Sequence, residues 1–482
     1  MSPVAPLVMS PAARGSARRQ SLWRAAFIVG CLTATAKVAA LLKDSLVASR
    51  FGSGAELDAF LLALVVPGFM ISVAAGTLPA ALTPTYIAVR EREGVGAARV
   101  LAQAVLAFTS RWLVAAAVVA GIVSLVYTAL PGSHLAPTTR ESLPRLAAWL
   151  APYTLLQGVC AAWSGLLAAE RGYAASTFAP IAQPLGMALG VLWGGQALGV
   201  GALVVGLLGG TIVQALIFAT ALNQRGLPVV AWRTPLALSP ASRAAIARVR
   251  GQYMPAVAAA LLMSATTVVD QTMATWLPPG SVSALAYGAK LSAVLMSVGA
   301  VALSTTLLPH LSELVAREEW SAIRRVERRV VWMILGVTIP ATIVLILAAQ
   351  PTVRLLFQRG AFTAVETTTV ANVQSAYLLQ VPVHLLGILY VRLISALQAN
   401  RLLTIGSAVN LAVNIMLNLL FMRWFGVVGI ALSTAAVYAV SCLFLSTVVR
   451  RRLAASERET LARKKPLVLT SFSSEVPCAS AA

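Results

Sequence analysis

Acidic side chains are scarce in this chain: 16 Asp and Glu stand against 37 Lys and Arg among 482 residues, and charged residues of both signs make up only 11%. Histidine occurs 3 times and cysteine 4 times. So few ionisable groups leave little material for acid–base or metal chemistry. The longest loops expected between apolar runs, 131–145 and 350–372, offer only His134, Glu141 and Glu366, scattered rather than clustered. A membrane-bound glycosyltransferase or polymerase would need such a cluster, so no enzyme is expected. Cys31, Cys160 and Cys442 lie in apolar stretches and Cys478 lies near the C-terminus, without C-x-x-C or histidine-paired spacing. Neither a metal site nor a disulfide framework is expected, and no organic cofactor is implied.

What is abundant is apolar. Hydrophobic residues make up 59% of the chain and the mean hydropathy is +0.82, more apolar surface than a soluble fold can cover. Runs long enough to cross a hydrocarbon core of about 30 Å lie near 25–42, 59–83, 112–130, 146–168, 176–197, 200–221, 253–277, 282–309, 331–349, 373–397, 403–421 and 427–447, about twelve in all. None alternates with a period of two, so each reads as a helix that satisfies its own backbone rather than a barrel strand. The expected fold class is an all-α polytopic membrane protein.

The net charge of +21 invites a nucleic-acid reading, but its placement follows topology. Arg14, Arg18, Arg19 and Arg24 precede the first run, Arg90, Arg92 and Arg99 follow the second, and Arg243, Arg248 and Arg250 precede the seventh. Arg317, Arg324, Arg325, Arg328 and Arg329 follow the eighth, and Arg450, Arg451 and Arg452 follow the last. All these fall on one side, so the positive-inside rule puts both termini in the cytoplasm, and nucleic acid is not an expected partner. The stretch after Arg24 runs on into Lys37 and Lys43 without a small-residue cleavage site, so it reads as an uncleaved first helix.

An internal repeat organises the chain. Residues 71–84 (ISVAAGTLPAALTP) align with 296–309 (MSVGAVALSTTLLP), matching Ser72 with Ser297, Val73 with Val298, Leu78 with Leu303 and Pro84 with Pro309. Pro152 with Pro382 and Arg171 with Arg401 extend the match. The expectation is a basic cytoplasmic segment at 1–24, a six-helix bundle at 25–222, a cytoplasmic linker at 223–250 with room for a short surface helix at 240–250, a second six-helix bundle at 251–449, and a disordered tail at 450–482. In parallel repeats of this kind substrates lie between the halves near the midplane.

Charged residues inside the apolar runs are the candidates for function, because each costs about 2.5–3.5 kcal/mol at membrane depth and therefore faces a wet cavity or a partner. They are Lys37, Lys43, Asp44 and Asp58 in the first hairpin, and Asp270, Lys290 and Arg392 in the second half. Lys37, Lys43, Lys290 and Arg392 would make an anion-attracting cavity, with Asp44 and Asp58 balancing it. Simpler readings stand beside this one. Lys43 and Asp44 can snorkel to the interface, Asp58 can cap its own helix after the Gly52–Glu56 turn, and Asp270 can form a structural ion pair with Lys290. Asp270 is also the candidate for coupling to Na+ or a proton, with membrane potential as a further drive. His310 and His384 read as packed or interfacial. Pro67, Gly68 and Pro382, with Pro180, Pro184 and Gly299, are candidate hinges or static kinks.

The run AKVAALLKDSLVASRFGSGAELDAFLLALVVPG at 36–68 resembles the first hairpin of the MurJ/MviN lipid II flippases, members of the MOP superfamily that also holds Wzx flippases and MATE exporters. ALAYGAKLSAVLMSVGAVALSTTLLPHLSE at 284–313 and LLFQRGAFTAVETTTVA at 355–371 resemble that family's eighth helix and an external loop. The resemblance implies a V-shaped pair of bundles with a cationic cavity. It would act as a monomer and carry a polyprenyl-diphosphate-linked sugar across the bacterial inner membrane by alternating access. It also implies that the family's functional arginines fall on Lys37, Lys43 and Lys290, and its hairpin aspartate on Asp58. The family's arginine pair is replaced by the neighbourhood Met70, Ile71 and Ser72, and about two fewer helices are expected than the family's usual fourteen. These departures keep open a flippase for an exopolysaccharide or O-antigen repeat unit. A MATE-like exporter of cations is a weaker alternative, because acids do not dominate the cavity.

Overall fold

The computed structural model describes residues 35–129, 135–170, 172–229, 240–397, 399 and 401–464. The basic segment 1–24, the start of the first apolar run, His134, Arg171, part of the 223–250 linker and the tail beyond 464 lie outside them. Among the described residues every regular element is a helix. In chain order they are α1 (35–51), α2 (Ala55–Met70), a π-helical turn (Ile71–Ala75), α3 (Leu78–Ala129), α4 (Pro137–Ala169), α5 (Tyr173–Phe178), a 3₁₀ turn (Ala179–Ile181), α6 (Ala182–Gly194) and α7 (Gly201–Asn223). The second half follows with α8 (Pro240–Ala274), α9 (Ser281–Ala316), α10 (Trp320–Leu347), α11 (Ala349–Phe357), α12 (Ala364–Leu378), α13 (Gln380–Ala396) and α14 (Arg401–Lys464).

In a bilayer core no water completes an open hydrogen bond, so hydroxyls must fold back on their own helices. They do: Thr211 donates to the Leu207 carbonyl, Thr272 to Val268 and Thr338 to Ile334, each at 2.7 Å. Non-helical backbone at Gly94 (φ 88°) breaks α3, and at Gly426 (φ 56°) it breaks α14. Nine helices among the described residues are long and apolar enough to cross a membrane. The sequence presents more apolar runs than that. The run at 25–42 starts outside the described residues, the run at 253–277 belongs to α8 and is not among the nine, and 403–421 and 427–447 share α14.

Two expectations are corrected. The stretch 240–250 is no separate surface helix but the first three turns of α8. The tail does not lose structure at 450: α14 continues to Lys464, fastened to α10 by Trp320 Nε1 donating to Thr460 Oγ1 at 3.0 Å and by an Arg324–Glu457 ion pair. Hydropathy falls after Arg452, but alanine, glutamate, leucine and arginine are strong helix formers that carry the helix on outside the apolar run.

Three apolar cores show how the halves meet. The first draws on both: Leu57, Phe60 and Leu62 of α2, Leu150 of α4 and Leu207 of α7 pack with Leu285 and Tyr287 of α9, Phe357 of α11 and Val373 of α12. The second holds Leu82, Tyr86, Leu101, Leu166 and Phe218 of the first half, joined by Val249 and Tyr253 from the start of α8. The third holds Leu307, Leu311, Ile323, Val330, Leu389, Leu393 and Val449 of the second half. The halves therefore share the first core, α8 carries the second half into the second core, and the third core belongs to the second half alone.

Between lipid-embedded helices packing replaces the hydrophobic drive, and small residues let backbones approach. Helices α6 and α7 show this. A Cβ on Gly206 would sit 2.4 Å from the Gly186 carbonyl oxygen, and one on Gly210 would sit 2.3 Å from that of Ala182. Gly206→Val is expected to cost about 1–3 kcal/mol through overpacking and to lower the thermal unfolding midpoint in detergent. An unchanged midpoint would contradict this packing.

Candidate substrate cavity and ion site

The first hairpin sets the electrostatics. Asp44 is 5% exposed near the end of α1 and accepts an ammonium from each half of the molecule. Lys43 pairs with its Oδ1, and Lys290 of α9 reaches its Oδ2 at 2.8 Å. The Lys43 side chain is 15% exposed and that of Lys290 42%, so Lys290 is the member that faces open space. Two cations on one carboxylate leave the cluster net positive. Snorkelling of Lys43 and Asp44 is thereby overturned, because the carboxylate is buried against α9 instead of reaching an interface. The Lys290–Asp270 pair is overturned too, because Lys290 spends its charge on Asp44.

Asp58 is a helix cap, but not of its own helix. Gly54 is the N-cap of α2, and Asp58 lies a turn inside, 5% exposed. Its Oδ2 accepts the N–H of Gly280 at 2.7 Å and its Oδ1 that of Ser283 at 2.8 Å. A carboxylate of the first half therefore satisfies the open donors and the positive end of α9 in the second. Gly280 permits the contact: its φ of 90° suits glycine, and a Cβ there would lie 2.4 Å from the Ser53 carbonyl oxygen. Around this cap Ser53 Oγ donates to the Gly280 carbonyl at 3.0 Å, Ser45 Oγ to the Leu356 carbonyl at 2.6 Å, and the Ala361 N–H to the Ser49 carbonyl at 2.8 Å. Glu366 completes a capping box with Thr363 on α12 and also accepts the Ser53 N–H at 2.5 Å. These bonds cluster where the shared core lies and hold the two halves together at that end.

Asp270 forms a separate group inside the second half. It is 9% exposed and accepts from Asn414 Nδ2 at 3.0 Å, Asn418 Nδ2 at 2.7 Å and Thr434 Oγ1 at 3.3 Å. Ser433 in turn bonds Asn418 Oδ1. These three donors to the carboxylate are neutral, and turning the two amides would present their oxygens beside it. An all-oxygen set of carboxylate, two amides and a hydroxyl suits a hard cation.

The remaining candidates are not brought into these groups. Lys37 is exposed on α1, well before Lys43. Arg392 binds Ser304 Oγ through Nε at 3.2 Å and Nη2 at 2.8 Å, tying α13 to α9. His310 is exposed, and His384 packs edge-on to Tyr438 with 4.9 Å between ring centroids. Pro67 and Gly68 immediately precede the π-helical turn, and Pro382 follows the break between α12 and α13 at Leu379, so backbone irregularity marks both candidate hinges.

Sequence reasoning missed a polar-edged cleft between the halves. A cleft of about 400 Å³ runs between α2 and α8, with Gly68, Phe69 and Ser72 on one side and Ser264, Thr267 and Gln271 on the other. Its Leu61, Leu64 and Val268 pack on the same core as Leu41 and Ala289 beside the lysine cluster. The signal was present: three polar residues spaced 264, 267 and 271 fall on one face of an otherwise apolar run.

The family model described as "Lipid II flippase MurJ" matches residues 47–481. A probable lipid II flippase MurJ of Synechocystis sp. is 25% identical over 458 residues, covering 92% of this chain and 84% of that protein. A lipid II flippase MurJ of Burkholderia cenocepacia is 24% identical over 447 residues, covering 90% and 84%. Among solved structures, a lipid II flippase MurJ in an inward closed conformation superposes with a TM-score of 0.72 at 20% identity over 90% of this chain and 91% of that one. An inward-facing multidrug resistance MATE transporter of the MOP superfamily gives 0.71 at 13% identity over 88% and 96%. At these identities the structures establish the shared fold.

Asp58→Ala would leave two buried N–H groups without an acceptor, at about 1–3 kcal/mol. The joined end should loosen, so that a cysteine placed at Ala284 reacts faster with maleimide in the Asp58→Ala protein than in its parent. Equal labelling rates would contradict the cap.

Proposed function

Because the chain belongs to the lipid II flippase MurJ family, we propose that it translocates a polyprenyl-diphosphate-linked saccharide of the lipid II type across the bacterial inner membrane, both termini lying in the cytoplasm. The observation that carries the reading is the ammonium pair Lys43 and Lys290, held on Asp44 at the seam between the halves. A diphosphate is a multivalent anion, and a cation beside a low-dielectric wall attracts it more strongly than one in water. On this reading Lys290 exchanges part of its contact with Asp44 for a phosphoryl oxygen. Asp44 keeps the cluster from carrying two unbalanced charges, and the hydroxyls and amide of Ser72, Thr267 and Gln271 meet the sugar.

The arginine-rich helix ends lie opposite the loops around Gly52, Gly280 and Gly360, so the joined end is read as the outer one. The conformation is then closed to the outside, with the separate inner cores leaving the cytoplasmic leaflet as the route of entry. Opening outward would break the Asp58 cap and re-form contacts between the inner cores, with Pro67, Gly68 and Pro382 absorbing the bend. Asp270 with Asn414, Asn418 and Thr434 is read as the coupling site, for Na+ or a proton, with membrane potential as a further drive.

A second reading, an exopolysaccharide or O-antigen intermediate as substrate, is favoured by lysine at 43 and 290. Lysine is a point charge without the fork that grips a diphosphate bidentately. Flipping of lipid II by the purified chain in proteoliposomes separates the two. Transfer is expected in the wild type, loss of at least about tenfold in Lys43→Ala and Lys290→Ala as for removal of a charge-assisted bond, and loss of response to a Na+ or proton gradient in Asp270→Asn. Near-normal transfer in both lysine variants, each folded, would sink the reading.

A further inference from the structure

The four arginines at the start of α10 do more than mark topology. A groove of about 610 Å³ between α10 and the extension of α14 is lined by Arg324, Arg325, Arg328, Arg329 and Trp332, with Glu457 as its acid. Arg324 is taken by Glu457, whereas no hydrogen bond or ion pair falls on Arg325, Arg328 or Arg329 among the described residues. Glu327, the other acid on this stretch, has Tyr390, Arg450 and Arg324 as its neighbours. Three guanidinium groups thus converge on one groove without a counter-charge.

The groove has a second, apolar half. Trp332 is 69% exposed at its edge, and the same face of α10 continues with Ile339 at 44% and Ile343 at 53%. From Trp332 onward α10 is a membrane span, so the groove lies where aqueous phase meets hydrocarbon. An indole at that depth sits naturally at the level of lipid carbonyls. A soluble anion would use the arginines and leave Trp332, Ile339 and Ile343 without a role.

We propose that this groove is a binding site for an anionic glycerophospholipid of the adjoining leaflet. Its phosphate would seat on Arg325, Arg328 and Arg329, its glycerol on Trp332, and an acyl chain along Ile339 and Ile343. Arginine clusters suit phosphate because each guanidinium can donate two parallel bonds. The bound lipid neutralises the repulsion among these arginines and fastens the α14 extension, already joined through Trp320 and Thr460, to α10. The site is remote from Lys43 and Lys290 in the fold and does not depend on which saccharide is carried.

Native mass spectrometry of the full chain, released from micelles doped with equal phosphatidylglycerol and phosphatidylcholine, tests the site. Wild type should retain phosphatidylglycerol preferentially, and the preference should fall at least about tenfold in a protein carrying Arg325→Gln, Arg328→Gln and Arg329→Gln. The corresponding lysine replacements should keep most of it. Reading the ratio of the two lipids within one sample guards against loss of folded protein. As a test needing no variant, millimolar inorganic phosphate should leave the wild-type ratio unchanged. Equal retention of both lipids by wild type, an unaltered ratio in the glutamine protein, or displacement by inorganic phosphate would each overturn the proposal.

Discussion

The carboxylate of Asp44 is the point on which the two halves depend. It lies beneath the surface of the molecule with an ammonium from its own helix on one oxygen and one from α9 on the other. Removing one member of a buried ion pair costs about 3–5 kcal/mol, because the other charge is then stranded. Lys290 is 42% exposed and keeps contact with water, so parting α1 from α9 strands chiefly the buried Asp44 and costs less than for a fully buried pair. Under the proposed function a diphosphate takes over part of the Asp44 contact with Lys290, which would link substrate binding to separation of the halves.

A second carboxylate of the same hairpin, Asp58, reinforces the seam by other means. It meets no cation but the exposed backbone donors of α9. The lysines and the cap thus act on one helix at two levels, and both lie beside the core that the halves share. Away from that core the third core belongs to the second half alone, and the second joins the first half to the start of α8. Asp270 stands apart from this exchange, its carboxylate held by the neutral donors Asn414, Asn418 and Thr434.

The fold class was legible because hydropathy and the absence of two-residue alternation leave only helices, and the comparisons agree on the MOP fold. That the carboxylates in apolar runs are buried was also legible, as Asp44, Asp58 and Asp270 show, whereas Lys37 is exposed and Arg392 binds Ser304. Who partners whom was not. Lys43 and Asp44 are neighbours in sequence, where helical geometry points side chains apart, so only the folded chain reveals that Lys290 closes the cluster. Asp58 looked like a local cap because the turn before it is local, while the donors it meets lie in a helix more than two hundred residues away. Asp270 lacked any sequence signal tying it to Asn414, Asn418 and Thr434, which lie on another helix. Helix ends were harder than helix centres, because α14 keeps its propensity after its hydropathy is gone.

The central claim is that a lysine-lined seam carries the lipid II type of substrate. Complementation tests it most directly: the chain is expressed in cells depleted of their own lipid II flippase, its presence in the membrane is verified, and survival is scored beside lipid II exposure on the outer leaflet. The account predicts survival with lipid II exposed. Death with the protein present in the membrane and lipid II retained inside would contradict it and shift the substrate to another lipid-linked saccharide.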